Sequence, residues 1–105
     1  MSILKPTRDV ETLTDELCDA LLTPRSRDEM RRLLRDLCTP AELKALAERW
    51  HVARLLDGTD LSYRDIHDGT GVSTTTIVRV GRFLRQEPHR GYRQAIDALE
   101  VERAR

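Results

Sequence analysis

The chain has 105 residues, with 18 basic side chains balanced by 18 acidic ones, so its formal charge is zero and its isoelectric point about 6.8. That balance excludes a chain that binds nucleic acid with its whole surface and leaves only the local segregation of charge to matter. With 34% charged and 4% aromatic residues, the composition suits amphipathic helices around one thin core that a partner subunit would complete.

Residues 1–8 contain Pro6 and little periodicity, and are expected to form a loose arm ahead of a single helical domain over 9–105. Asp9 or Thr12 can open a first helix in which Val10, Leu13, Leu17, Ala20 and Leu21 form one stripe, and Thr23-Pro24 ends it. Ser26 with Glu29 makes a capping box for a second helix striped by Met30, Leu33, Leu34 and Leu37. Its outer arginines, Arg27, Arg31, Arg32 and Arg35, lie among Asp28, Glu29 and Asp36 and read as a salt-bridged solvent face. Thr39-Pro40-Ala41-Glu42 combines a threonine cap, a proline at the first helical position and a glutamate at the third. The helix it starts runs to about Asp57, with Leu43, Leu46, Trp50, Ala53 and Leu56 or Leu55 in steps of three and four, and looks central.

The segment 62–85 then reads as helix, tight turn, helix. Ser62 and Asp65 cap a short helix from Tyr63 to about Gly69. Gly69 and Gly71 bracket Thr70 and supply the turn with a glycine that can take a positive φ, and Ser73 caps a second helix through Arg85 with Ile77, Val80 and Leu84 inside. Ile66 and Val72 close the small core between the two. This is the spacing of a helix-turn-helix. The outward face of its second helix carries Thr74, Thr75, Thr76, Val78, Arg79 and Arg82: short hydroxyls that suit base edges, and guanidinium groups that suit phosphate or guanine. Two capped helices with a glycine between them also occur in helical proteins that never touch nucleic acid. After Arg85 the segment QEPHRG breaks the helix, and Tyr92, Ala95, Ile96 and Leu99 stripe a sixth. No alternation of strand type appears, so the fold class is all-α.

Between Ser73 and Arg93 five arginines (Arg79, Arg82, Arg85, Arg90, Arg93) face one acid, Glu87, a local balance of +4 read from the sequence. This places positive potential beside the presumed reading helix. Cys18 and Cys38 are too far apart for a metal-binding CxxC and too few for a disulfide framework, so buried free thiols in a reducing cytoplasm are expected. The scattered histidines His51, His67 and His89, with no nucleophile motif, point away from catalysis and from a metal centre. No apolar run approaches a membrane span and MSILKPTRDV lacks a signal-peptide core, which together suggest a soluble cytoplasmic protein. The first three helices carry stripes broader than so short a chain can cover, which points to a two-fold homodimer.

The run from Asp36 to Leu84, with LCTP, Glu42, ALAER and YRDIHDGTGVSTTTIVRV as its specific parts, resembles the Trp repressor superfamily, and most closely its YerC/YecD-type branch, over about residues 12–99. The resemblance implies a six-helix, intertwined homodimer in which helices over 9–57 and 92–101 dimerise and the helix-turn-helix, 62–85, projects to double-stranded DNA. By the same alignment Arg64 matches a base-contacting arginine and His67 a lysine that faces the operator. Thr39, Arg49 and Arg79 match positions that hold the ligand's amino group, carboxylate and indole in the tryptophan-binding repressor. Val80 and Phe83 depart from that pattern, standing where it has a glycine and a small hydroxyl residue, and Phe83 can fill the indole slot with its own ring.

The function expected is a sequence-specific regulator, a repressor that reads a palindromic operator as a dimer without a tryptophan gate. Arg64, His67, Ser73, Thr74, Thr75, Thr76, Val78, Arg79, Arg82 and Arg85 are the candidate DNA contacts, and no cofactor or metal is needed. Two alternatives remain: a repressor gated by an amino acid or other small carboxylate through Thr39, Arg49, Arg79 and Phe83, or a protein-interaction module that has lost DNA reading.

Overall fold

Among the described residues, five of the six helices start on a side-chain cap, and these caps decide where the chain turns. Asp9 accepts the Thr12 amide at 2.8 Å and opens α1, Val10–Leu21. Ser26 accepts the Glu29 amide at 3.1 Å and opens α2, Arg27–Leu37, while the Glu29 carboxylate reaches back to the Arg25 amide at 2.8 Å rather than to that of Ser26. Thr39 and Glu42 cap reciprocally at 2.8 and 3.1 Å ahead of α3, Pro40–Gly58. Ser62 and Asp65 do the same at 3.0 and 3.1 Å for α4, Tyr63–Thr70. Ser73 accepts the Thr76 amide at 3.2 Å to start α5, Thr74–Arg85. Each bond satisfies an amide that the first helical turn would otherwise leave unpaired. The exception is α6, Gly91–Arg103, whose N-cap Arg90 sits in the left-handed region at φ 59° with no side-chain cap.

The computed structural model describes residues 9–104, so the expected arm over 1–8 lies outside the described residues. Six helices and no strand occur among them, the all-α class expected from the sequence. They divide into two compact units, one ending at Leu43 and one beginning at Lys44. In the first unit neither α1 nor α2 has a buried residue, and Val10, Leu13 and Leu17 of the α1 stripe are all exposed. The expectation of buried thiols fails for the same reason: Cys18 is exposed and Cys38 only partly covered, both as free cysteines. On the outer face of α2 the expected pairing is realised by Arg32 with Asp28.

The second unit holds the core. Val52, Ala53 and Leu56 of α3, Ile66 of α4, Val72 of the turn, Ile77 and Val80 of α5 and Ile96 of α6 are buried together, with Trp50, Leu55, Tyr63, Leu84 and Tyr92 packed against them. Leu46, expected on the inner face of α3, is instead 45% exposed. Polar ties close the unit at its edge. Arg93 of α6 grips Asp57 at the end of α3 through both terminal guanidinium nitrogens, at 2.6 and 3.2 Å, and its Nε donates to Asp97 at 3.0 Å. Its planar fork fits a carboxylate in this two-point fashion. The Asp57 carboxyl is held below the usual carboxylate range, chiefly by the hydrogen bond from Arg93. No described helix is long and apolar enough to cross a membrane.

Candidate nucleic-acid interface

The α4–turn–α5 segment is built by backbone satisfaction in the turn and by close packing between its helices. Gly71 takes φ 78°, the left-handed conformation a side chain would strain, and its amide donates to the His67 carbonyl at 2.9 Å. The Thr70 hydroxyl donates to the Ile66 carbonyl at 2.6 Å and accepts the Val72 amide at 3.1 Å. Val72 itself is buried, and its carbonyl lies 2.8 Å from Nδ1 of His67. Further along, Gly81 is buried in mid-helix where Tyr63 crosses α5: a Cβ there would fall 2.3 Å from the Tyr63 hydroxyl oxygen and 3.1 Å from its ring carbon. Neither Gly81 nor Tyr63 stood out in the sequence, because a glycine inside a helical stripe reads as a weak point rather than as the seat of a ring 18 residues earlier.

The predicted site residues are brought into one segment but put to different uses. Ser73 and Thr76 spend their hydroxyls on each other, at 2.9 Å, as well as on the cap. Thr74 and Thr75 are exposed and make no side-chain hydrogen bond to a described residue. Val78 is 51% exposed beside them. Arg79 lies over the Phe83 ring at 4.3 Å and has no ion pair among the described residues. Arg82 approaches the same ring at 5.0 Å and Glu87 at 3.6 Å. Arg85 donates to the Leu56 carbonyl at 3.0 Å, closing the end of α3. Arg64 is almost wholly exposed and lies 4.0 Å from Asp68. The +4 balance of the segment is thus unevenly available: Arg93 is matched by two carboxylates and Arg82 by one, while Arg79 keeps a free charge on the outer face. The first turn of α5 contains no acid, so its amides and dipole favour an approaching phosphate.

Of the candidate ligand residues, Thr39 lies in the first unit and Arg49, Arg79 and Phe83 in the second. Thr39 is occupied by its reciprocal cap with Glu42. Glu48, the residue before Arg49, faces Lys44 at 3.9 Å. Phe83 stacks on His89, with ring centroids 5.9 Å apart, beside a recess of about 300 Å³ lined by Phe83, His89, Gly91 and Tyr92. Among the described residues no three His, Cys, Asp or Glu side chains are grouped to hold a metal.

The sequence model of the family described as Trp repressor protein matches residues 12–100. The chain belongs to the Trp repressor family. Within it, the chain is 37% identical over 86 residues to the uncharacterised YerC protein of Bacillus subtilis strain 168, covering 82% of this chain and 81% of that one. A crystal structure assigned as a Trp repressor from Staphylococcus aureus superposes with a TM-score of 0.77 at 33% identity, over 90% of this chain and 97% of the other. A TrpR-like protein of Eubacterium eligens superposes equally well, TM-score 0.77 at 34% identity, over 85% of this chain and 90% of that one. The fold is therefore the all-α Trp repressor fold, the assignment is to its YerC-type members, and both fold and family are those of DNA-binding regulators.

Proposed function

We propose that this Trp repressor family member is a sequence-specific DNA-binding transcriptional regulator that works as a homodimer and reads its operator with the N-terminal half of α5. The observation that carries the reading is the outer face of α5: two threonines with uncommitted hydroxyls, an exposed valine and an unpaired arginine, following a capped helix start free of acids. Thr74 and Thr75 meet base edges, and the Val78 methyls suit a thymine methyl. Arg79 and Arg82 hold phosphates, and Arg64 approaches from α4. Ser73, Thr76 and Arg85 support the surface from behind, through the cap and the end of α3. The apolar side chains left exposed on α1 and α2 favour a two-fold partner, since pairing of copies through such stripes buries them twice over. Two reading helices then meet successive major grooves about 34 Å apart, and the operator is a palindrome. The family description, Trp repressor protein, favours repression as the sign of regulation.

One observation favours a second reading. The recess of about 300 Å³ beside Phe83 is lined by three rings, a size at the lower end for small-molecule sites, and suits an aromatic carboxylate as effector. Calorimetry with tryptophan, tyrosine and phenylalanine separates the two: no heat and no thermal shift leave the ungated regulator. The main reading is tested by Arg79→Ala and Thr75→Ala. Arg79→Ala weakens binding to all DNA sequences alike and lowers the dependence of log affinity on log salt by about one phosphate. Thr75→Ala changes the preferred sequence and leaves that slope alone. Equal losses on every sequence for both variants would contradict the division of labour.

A further inference from the structure

We propose that His67 is a positioning residue of the helix-turn-helix, whose imidazole fixes the turn from which α5 departs by donating from Nδ1 to the Val72 carbonyl. The inference rests on the reading of α5 as the helix that meets DNA. Val72 is the last residue before the Ser73 cap, so its peptide orientation sets the direction in which α5 begins and hence where Thr74 and Thr75 point. Both of its backbone polar groups are taken by side chains of α4: the amide by Thr70 Oγ1 at 3.1 Å, the carbonyl by His67 Nδ1 at 2.8 Å. Its side chain is buried beside Ile66 and Ile77 in the core. A residue held at amide, carbonyl and side chain at once has little freedom left, and the glycine before it is fixed by its own bond to the His67 carbonyl.

The chemistry of the pair assigns the proton. A carbonyl oxygen only accepts, so Nδ1 must carry hydrogen, and the neutral ring is then the Nδ1–H tautomer with a bare lone pair at Nε2. A lone pair is no partner for a phosphate oxygen, itself an acceptor. In its neutral form His67 therefore serves the operator through the turn and not through the DNA backbone.

The tautomer is read directly from the ¹⁵N shifts of His67 in the free protein at alkaline pH, where imidazole is neutral. The expected result is a protonated Nδ1 and an unprotonated Nε2; the reverse assignment removes the bond and overturns the proposal. Two isosteres give the functional arm, since the amide nitrogen of asparagine falls close to the place of Nδ1 and that of glutamine close to the place of Nε2. His67→Asn keeps operator affinity, whereas His67→Gln loses about tenfold, the equivalent of one hydrogen bond, with an unchanged salt slope. Retention by glutamine and loss by asparagine, or a slope lower by about one phosphate in either variant, would assign His67 to the DNA itself and overturn the positioning role. If the wild-type protein selects no DNA sequence, the proposed function fails. The turn is then still judged by the tautomer and by amide exchange at Gly71 and Val72, which speeds up in His67→Gln and stays at the wild-type rate in His67→Asn; equal rates in both variants would overturn the proposal.

Discussion

Replacing Gly81 by alanine tests how closely α4 and α5 are fitted together. On helix propensity alone the change stabilises by about 1 kcal/mol, because glycine in a helix interior is the poorer former. Against this, the new methyl falls 2.3 Å from the Tyr63 hydroxyl oxygen, and the phenol must retreat by about 1 Å to restore ordinary contact. Overpacking of this kind costs about 1–3 kcal/mol, so Gly81→Ala should lose about 1 kcal/mol net. Tyr63→Phe supplies the control. Its hydroxyl has no hydrogen-bond partner among the described residues, and removing it leaves the ring carbon at 3.1 Å, from which a few tenths of an ångström suffice. In the Tyr63→Phe background Gly81→Ala should therefore be neutral or stabilising, a coupling of about 1–2 kcal/mol in a double-mutant cycle. The assay is urea unfolding at fixed protein concentration, with the slope checked for constancy across the four proteins. Additivity within about 0.3 kcal/mol would refute the fit of ring to glycine.

Ser62→Ala removes one half of the reciprocal cap on α4 and should cost about 1 kcal/mol in the same assay, with Ser62→Gly costing less; equal stability to the wild type would show that the cap is redundant. For Asp57 the sign follows from its lowered pKa. The unfolded chain binds the proton more readily than the folded one, so this stabilisation is complete above the ordinary aspartate range near pH 4 and disappears as pH falls through the lower folded value. Asp57→Asn should accordingly flatten the loss of stability between about pH 5 and pH 2, read from urea midpoints, and an unchanged pH dependence would contradict the assigned role of the Arg93 grip.

Features governed by adjacent residues were legible in the sequence. The caps at Thr39, Ser62 and Ser73 follow from neighbours within four positions, and the structure has them where the pattern predicts; of the two glycines the turn offered, Gly71 is the left-handed one. What depends on distant partners was not. The arginine excess over 73–93 counts Arg93 and Arg85 as free, yet Asp57 lies 36 residues before the first, and the Leu56 carbonyl 29 before the second. The left-handed residue before α6 is Arg90 rather than the adjacent Gly91, a strain that local preference argues against. Helix α6 continues to Arg103, past the expected end at 101, and its last two residues, Glu102 and Arg103, carry no apolar periodicity from which the extension could be read. Cys18 sits in a helical stripe that predicts burial, and stripe alone does not say whether its own chain covers it.

The most direct test of DNA reading is selection of genomic fragments by the purified protein at two salt concentrations, with and without tryptophan. The expected result is a palindromic site whose half-sites lie about one helical turn apart, retained at the higher salt and bound equally with or without tryptophan. Enrichment of no sequence, with binding that collapses on modest addition of salt, would contradict it.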